Sequence, residues 1–152
     1  LKFTLSTSSW ISKKMQYHHG NLKQQLIICA YDWISANGID NISLRKIAKI
    51  AKVSQTAPYR HFNSKEHLLA DVATLGFENF SLEMSKNKET DNPADDLVRC
   101  GVTYIEFGLN NEHVIDLMFN YENELNNNLS KEPGLAFFTI QSKLKKFFTV
   151  PL

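Results

Sequence analysis

Residues 42–69 read ISLRKIAKIAKVSQTAPYRHFNSKEHLL, and the fold turns on them. Ser43 is a helix-capping residue type, and Leu44, Ile47, Ala48 and Ala51 follow it at helical spacing, so a short helix buries that face. Arg45, Lys46, Lys49 and Lys52 fall on its outer face. After a short break, Ser54 caps another helix over residues 55–61, with Pro58 in the first turn, where a missing N–H matters least. A longer helix begins at Asn63 or Ser64, with Glu66 placed to close a capping box on Asn63. It carries Leu68, Leu69, Val72, Leu75, Phe80 and Met84 to about Ser85.

Upstream, Asn21 and Gln24 form the capping box of a first helix with an apolar stripe of Leu22, Leu26, Cys29, Ala30, Trp33 and Ile34. Asn37-Gly38 ends it, glycine being suited to the left-handed position after a helix. The helices of residues 44–69 are therefore the second, third and fourth. Downstream, SKNKETDN is polar and reads as a linker, and Asn92-Pro93 opens a fifth helix with Asp95 and Asp96 in its first turn. The inner positions expected of it are Leu97, Val98, Val102, Ile105 and Leu109. A short sixth helix covers residues 112–119, an Asn-rich segment runs to Pro133-Gly134, and a seventh helix spans residues 135–148. No long strand alternation occurs, so the expected fold class is all-α.

Two short helices joined by a tight turn are what a helix-turn-helix requires, the first helix buried and the second projecting polar groups into the major groove. Ala48 and Ala51 let the pair cross closely. Gln55 can read adenine, Arg60 guanine, and the Thr56 methyl can touch thymine, with Tyr59 beside them. Lys65 and the N-terminal N–H groups of the fourth helix can hold a phosphate, as Ser43 and the start of the second helix can on the other flank.

The charge distribution agrees. The chain of 152 residues has a net charge of +1, yet residues 1–65 hold ten Lys and Arg against two acids, and residues 66–152 hold seven against fourteen. A basic head on an acidic body suits a head that meets a polyanion. At 43% hydrophobic and 22% charged, the composition is globular, and no apolar run approaches the ~18 residues of a membrane span. Cys29 and Cys100 have no paired framework or metal-type spacing, and they fit packing roles in a reducing cytoplasm. His18-His19 lacks a third ligand at useful spacing and reads as a basic arm near the DNA backbone. His61 and His67, six apart, do not share a helix face and read as packing or phosphate contacts. No nucleophile–base pair, phosphate loop or metal motif occurs, so neither an enzyme nor a cofactor is expected. Residues 1–16 read as a disordered leader, or residues 1–14 as translated sequence upstream of a true start at Met15.

The run from Tyr17 to about Phe80 resembles the DNA-binding domain of the TetR/AcrR transcriptional regulators. The resemblance rests on the Gly38 cap, ISLRKIAKIAKVS, Tyr59-Arg60-His61-Phe62, Ser64-Lys65-Glu66 and the Leu68-Leu69 pair. It implies a DNA-binding domain over residues 17–80 and a helical ligand-binding and dimerisation domain over residues 81–152. It further implies that Gln55, Thr56, Tyr59 and Arg60 face bases or phosphates, whereas Ser43, Arg45, His61 and Lys65 face the backbone. Lys52 stands where the family often has Gly, and a positive φ there strains it by ~1 kcal/mol.

In the body, residues 106–119 resemble the segment FxxxHPxLxxLMF of one ligand-binding subgroup. The implied partners are a palindromic double-stranded DNA operator, a second copy of the chain as a homodimer, and a small hydrophobic effector that releases the DNA. Such an effector, wedged among the fifth to seventh helices, would shift the fourth and respace reading heads set ~34–36 Å apart. Phe80, Met84, Val102, Ile105, Phe107, Met118 and Phe119 are the candidate pocket walls. Full-length members carry two further long helices, so this body is expected to be incomplete. An alternative reading follows from that: a truncated, non-DNA-binding interaction protein that sequesters a partner subunit or is inactive.

Overall fold

Asn21 opens the first element of the computed structural model, which describes residues 21–125. Its side chain accepts from the Gln24 N–H at 3.2 Å and starts α1, Leu22–Asn37. Gly38 closes α1 at φ +74°, its N–H donating to Ile34 O at 2.8 Å. A side chain at Gly38 would be strained by that φ, and its Cβ would sit 3.6 Å from the His113 imidazole. α1 buries Leu26, Ile27, Ala30, Tyr31 and Ile34, while Leu22, Cys29 and Trp33 of the expected stripe pack at its edge.

α2 (Leu44–Ile50) is capped by the Ser43 hydroxyl and buries Leu44, Ile47 and Ala48. The expected α-helix over residues 55–61 is instead one 3-10 turn, Ala57–Arg60. Pro58 has no N–H to return to Ser54, so the chain closes with shorter bonds, Ala57 N–H to Ser54 O at 3.0 Å and Tyr59 N–H to Thr56 O at 3.2 Å. Ser64, not Asn63, caps α3 (Lys65–Ser85), its hydroxyl accepting from the His67 N–H. The capping box expected between Asn63 and Glu66 gives way to a cap one residue later.

α3 has 21 residues, about 31 Å at 1.5 Å each, and runs without a break from beside the 3-10 turn into the body. α4 (Pro93–Asn110) starts under the Asn92 cap, as expected. α5 (Glu112–Leu125) extends beyond the expected residue 119, because Tyr-Glu-Asn-Glu-Leu contains neither Gly nor Pro to stop it. Five α-helices and the 3-10 turn make up the described residues, and no strand occurs among them.

One continuous core joins head and body through Leu26, Ile34, Ile47, Phe62, Leu68, Val72, Met84, Leu117 and Met118. α3 lies at its centre, with α1, α4 and α5 packed against it. Gly76 lets α5 approach closely: a Cβ there would lie 2.8 Å from Met118 Sδ and 3.0 Å from Val114 Cγ1. A buried polar node ties the layers together. The Tyr31 hydroxyl donates to Asn111 Oδ1 at 3.5 Å, and Asn111 Nδ2 donates to Phe107 O at 2.9 Å.

α4 corrects the sequence reading. Four of the five positions expected to face inward point outward, from 48% exposed at Val102 to 79% at Leu109, with Val98 and Ile105 between, while Leu97 is half-buried. Its inner face is instead Asp96, Cys100 and Phe107. Phe107 and Tyr104 meet Phe80 with ring centroids at 5.0 and 5.5 Å. Asp96 accepts from the Thr90 N–H at 3.1 Å and the Thr90 hydroxyl at 2.7 Å, and it pairs with Arg99. These contacts fix the rotation of the helix and turn its more apolar stripe away from the core. The leader at residues 1–16, His18-His19 and the seventh helix at residues 135–148 lie outside the described residues.

Candidate nucleic-acid interface

The geometry of the head begins at the end of α2. Val53 N–H donates to Ala48 O at 3.0 Å and Lys52 N–H to Lys49 O at 3.2 Å, the paired bonds of a Schellman turn. Lys52 occupies its left-handed position at φ +57°. The turn therefore carries the strain expected of a lysine in that position, about 1 kcal/mol. The buried Ala48 and Ala51 let the following turn lie close across α2. Gln25 of α1 secures the junction, its Nε2 donating to Ala51 O at 3.2 Å.

Pro58 and Phe62 then act as anchors. Both are buried, and the Phe62 N–H donates to Pro58 O at 2.9 Å. With these two turned inward, the residues around them turn outward: Gln55, Thr56, Tyr59, Arg60 and His61 are all exposed, Tyr59 by 51%. Thr56 shares a hydroxyl contact with Ser54 at 3.3 Å, which orients its side chain. Ser43 and Arg45 are exposed on α2, and Lys65 is half-buried at the start of α3. The residues given a DNA role thus lie along one continuous stretch of chain, on a scaffold held by the buried Leu44, Ile47, Ala48, Pro58 and Phe62.

Two basic residues on the outer surface serve the scaffold. Lys46 reaches back over the Trp33 ring, its Nζ 3.8 Å from the centroid, and fastens α2 to α1. Lys23 pairs with Asp71 at 2.7 Å and lies 5.8 Å from the Phe62 ring, linking α1 to α3. Arg45, Lys49, Lys52 and Arg60 are the exposed cations of this region. The first turn of α3 holds its own anion: hydrogen bonding from Ser64 keeps the Glu66 carboxyl below its usual range, with its own backbone N–H adding to the effect. That carboxylate sits at the electropositive helix N-terminus, beside Lys65.

The seven candidate pocket residues divide. Phe80, Met84, Phe107 and Met118 are buried in the core, whereas Val102, Ile105 and Phe119 are exposed. An open groove between α1 and α3 is lined by Lys23, Ile27, Asp71, Leu75 and Glu78 and contains none of them. Among the described residues, no group of three or more His, Cys, Asp or Glu is placed to hold a metal, and no helix is long and apolar enough to cross a membrane.

Among the described residues, all helical, a half-buried α2, a Schellman turn and an exposed polar 3-10 turn follow one another in the layout of a helix-turn-helix. The match to known sequences is more specific: the family model for bacterial regulatory proteins of the tetR family matches residues 29–72. Residues 29–72, from within α1 through α2 and the 3-10 turn into α3, are thus similar to the helix-turn-helix domain of that family. Two solved structures share the fold. One is a protein of unknown function from Rhodococcus sp. RHA1, with a TM-score of 0.61 and 23% identity over 88% of this chain and 67% of that one. The other is a TetR-family transcriptional regulator from Haemophilus influenzae, with a TM-score of 0.52 and 20% identity over 79% of this chain and 70% of that one. No curated protein matches the sequence.

Proposed function

We propose that the chain is a one-component transcriptional regulator, a repressor that binds double-stranded DNA as a homodimer. Residues 54–61 enter the major groove of each half of a palindromic operator. Gln55, Thr56, Tyr59 and Arg60 read bases, while Ser43, Arg45, His61 and Lys65 hold the backbone on either side. The observation that carries this reading is the outward set of Gln55, Tyr59 and Arg60 between the buried anchors Pro58 and Phe62, within the segment that matches the tetR family. A small hydrophobic effector entering the body between α3, α4 and α5 would part Phe80, Met84, Phe107 and Met118. Because α3 is continuous with the head, moving its body end would respace the two heads and release the operator.

The test is a fluorescence-anisotropy titration of the full chain onto its own upstream DNA, beside a scrambled duplex of equal length, over a range of salt. The expected result is tighter binding to the native duplex, two chains per site and a steep salt slope. Equal, weak binding of single chains to both duplexes overturns the regulator reading and leaves that of an interaction protein.

A further inference from the structure

The outer face of α4 repeats itself after seven positions: Val98-x-x-Gly101-Val102 is followed by Ile105-x-x-Gly108-Leu109. Seven residues are close to two helical turns, so both halves of the repeat fall on one face. Val98, Val102, Ile105 and Leu109 form an exposed ridge, with nothing among the described residues covering it. Gly101 and Gly108 lie on one flank of the ridge, and a Cβ built on either meets no atom within 4 Å. Arg99 and Glu106, also seven apart, lie on the opposite flank. Glu106 is exposed, and the Arg99 side chain is 43% exposed beside its contact with Asp96.

We infer that this face binds the same face of a second copy, the two α4 helices running antiparallel. The order of the side chains suits that arrangement. With Val102 opposite Ile105 of the second copy, Val98 meets Leu109 at one end and Leu109 meets Val98 at the other, the reciprocal contacts of a two-fold interface. In an antiparallel pair, like flanks adjoin. Gly101 therefore lies beside Gly108 of the second copy, where the missing side chains let the helices approach. Arg99 lies beside Glu106 of the second copy, ~3 Å from level along the axis, and the same ion pair forms again at the other end. Asp95, the remaining acid of that flank, falls beyond both pairs at the end of the interface. A parallel pair would set each charged flank against the other copy's glycines and forfeit both ion pairs, so charge selects the antiparallel one. The inference gives the homodimer proposed above an interface, and it stands without any DNA contact.

Sedimentation of the full chain in the absence of DNA tests it. The expected result is a monomer–dimer equilibrium whose dissociation constant rises at least about tenfold for Val102→Asp, which puts a charge at the centre of the ridge. Glu106→Arg, which sets two cations beside each other at both ends, should raise it about three- to tenfold. Both positions are on the surface of the described fold, so circular dichroism should show unchanged helicity. Oxidative crosslinking reads the direction of the pair. Val98→Cys mixed with Leu109→Cys should give a mixed disulfide, with neither variant linking to itself, because like positions stand ~16 Å apart along the axis. A native chain that stays monomeric, a dimer indifferent to Val102→Asp, or self-linking of Val98→Cys overturns the inference. A dimer that passes these tests yet does not prefer its own upstream DNA upholds the interface and overturns only the regulator reading.

Discussion

Residues 44–62 and α4 treat their apolar side chains in opposite ways. In the head, Leu44, Ile47, Ala48, Pro58 and Phe62 all turn inward, and the outward positions are polar or basic, with Ile50 and Tyr59 the apolar-bodied exceptions. In α4 the inward face contains a carboxylate and the outward face is a valine, isoleucine and leucine ridge. Most apolar residues of the head are buried within the described residues. α4 is fixed by one face and, among the described residues, open on the other. Periodicity reveals that a helix has an apolar stripe, whereas only the partner elements decide which way that stripe looks.

The contrast can be broken most severely at Phe62. Phe62→Ala should destabilise the fold by about 3–5 kcal/mol, because a fully enclosed ring leaves a cavity between α1 and α3. Ile105→Ser, an equally apolar residue lost from α4, should change the stability of the described fold by under about 1 kcal/mol. Paired thermal melts measure both, and equal losses would erase the distinction drawn between the two regions. Next in size is Arg60→Ala, expected to weaken binding to the cognate duplex by about 1–3 kcal/mol and to flatten the preference over random DNA. Lys65→Ala serves as its control, weakening both duplexes alike, and an unchanged ratio for Arg60→Ala would remove that residue from base reading.

Smaller still is Lys52→Gly. Relief of the φ +57° strain should raise stability by up to about 1 kcal/mol, while loss of a cation from the DNA face lowers affinity and shallows the salt slope. A chemical-denaturation curve and a salt titration should therefore move in opposite senses, and agreement between them would mean that the strain has no counterpart in binding. The smallest effect is assigned to Glu66→Gln. Removing the ionised carboxyl at the start of α3 should tighten DNA binding about two- to threefold, as expected for one exposed charge near a phosphate. A decrease in affinity would show that Glu66 organises the phosphate site instead of competing with it.

How much of this was legible in the sequence depended on whether a signal was local. The starts of α1, α2 and α4 follow from Asn21, Ser43 and Asn92, because a cap is an interaction between residues two or three apart. The start of α3 was open between Asn63 and Ser64, two capping residue types in succession, and the serine takes the role. The strain at Lys52 was readable, since the Schellman turn needs only the residues around it. The inward roles of Lys46 and Lys23 were not, for each depends on a partner a helix away, Trp33 in one case and Asp71 in the other. Asp96 read as a first-turn acid, and its burial came from Thr90 and Arg99 folding over it. The outward face of α4 was hidden for the same reason. Phe107 wins the inward position through ring contacts with Phe80 that no spacing rule encodes.

The crossing at Gly76 governs how the molecule can move. Met118 and Val114 rest against the bare backbone of α3 with no side chain between as padding. A slide of α5 along α3 would drive a methionine into the next residue's Cβ, whereas a roll about the contact point leaves it seated. The crossing therefore resists sliding of α5 along α3, a 21-residue helix whose other end is Lys65, beside the 3-10 turn.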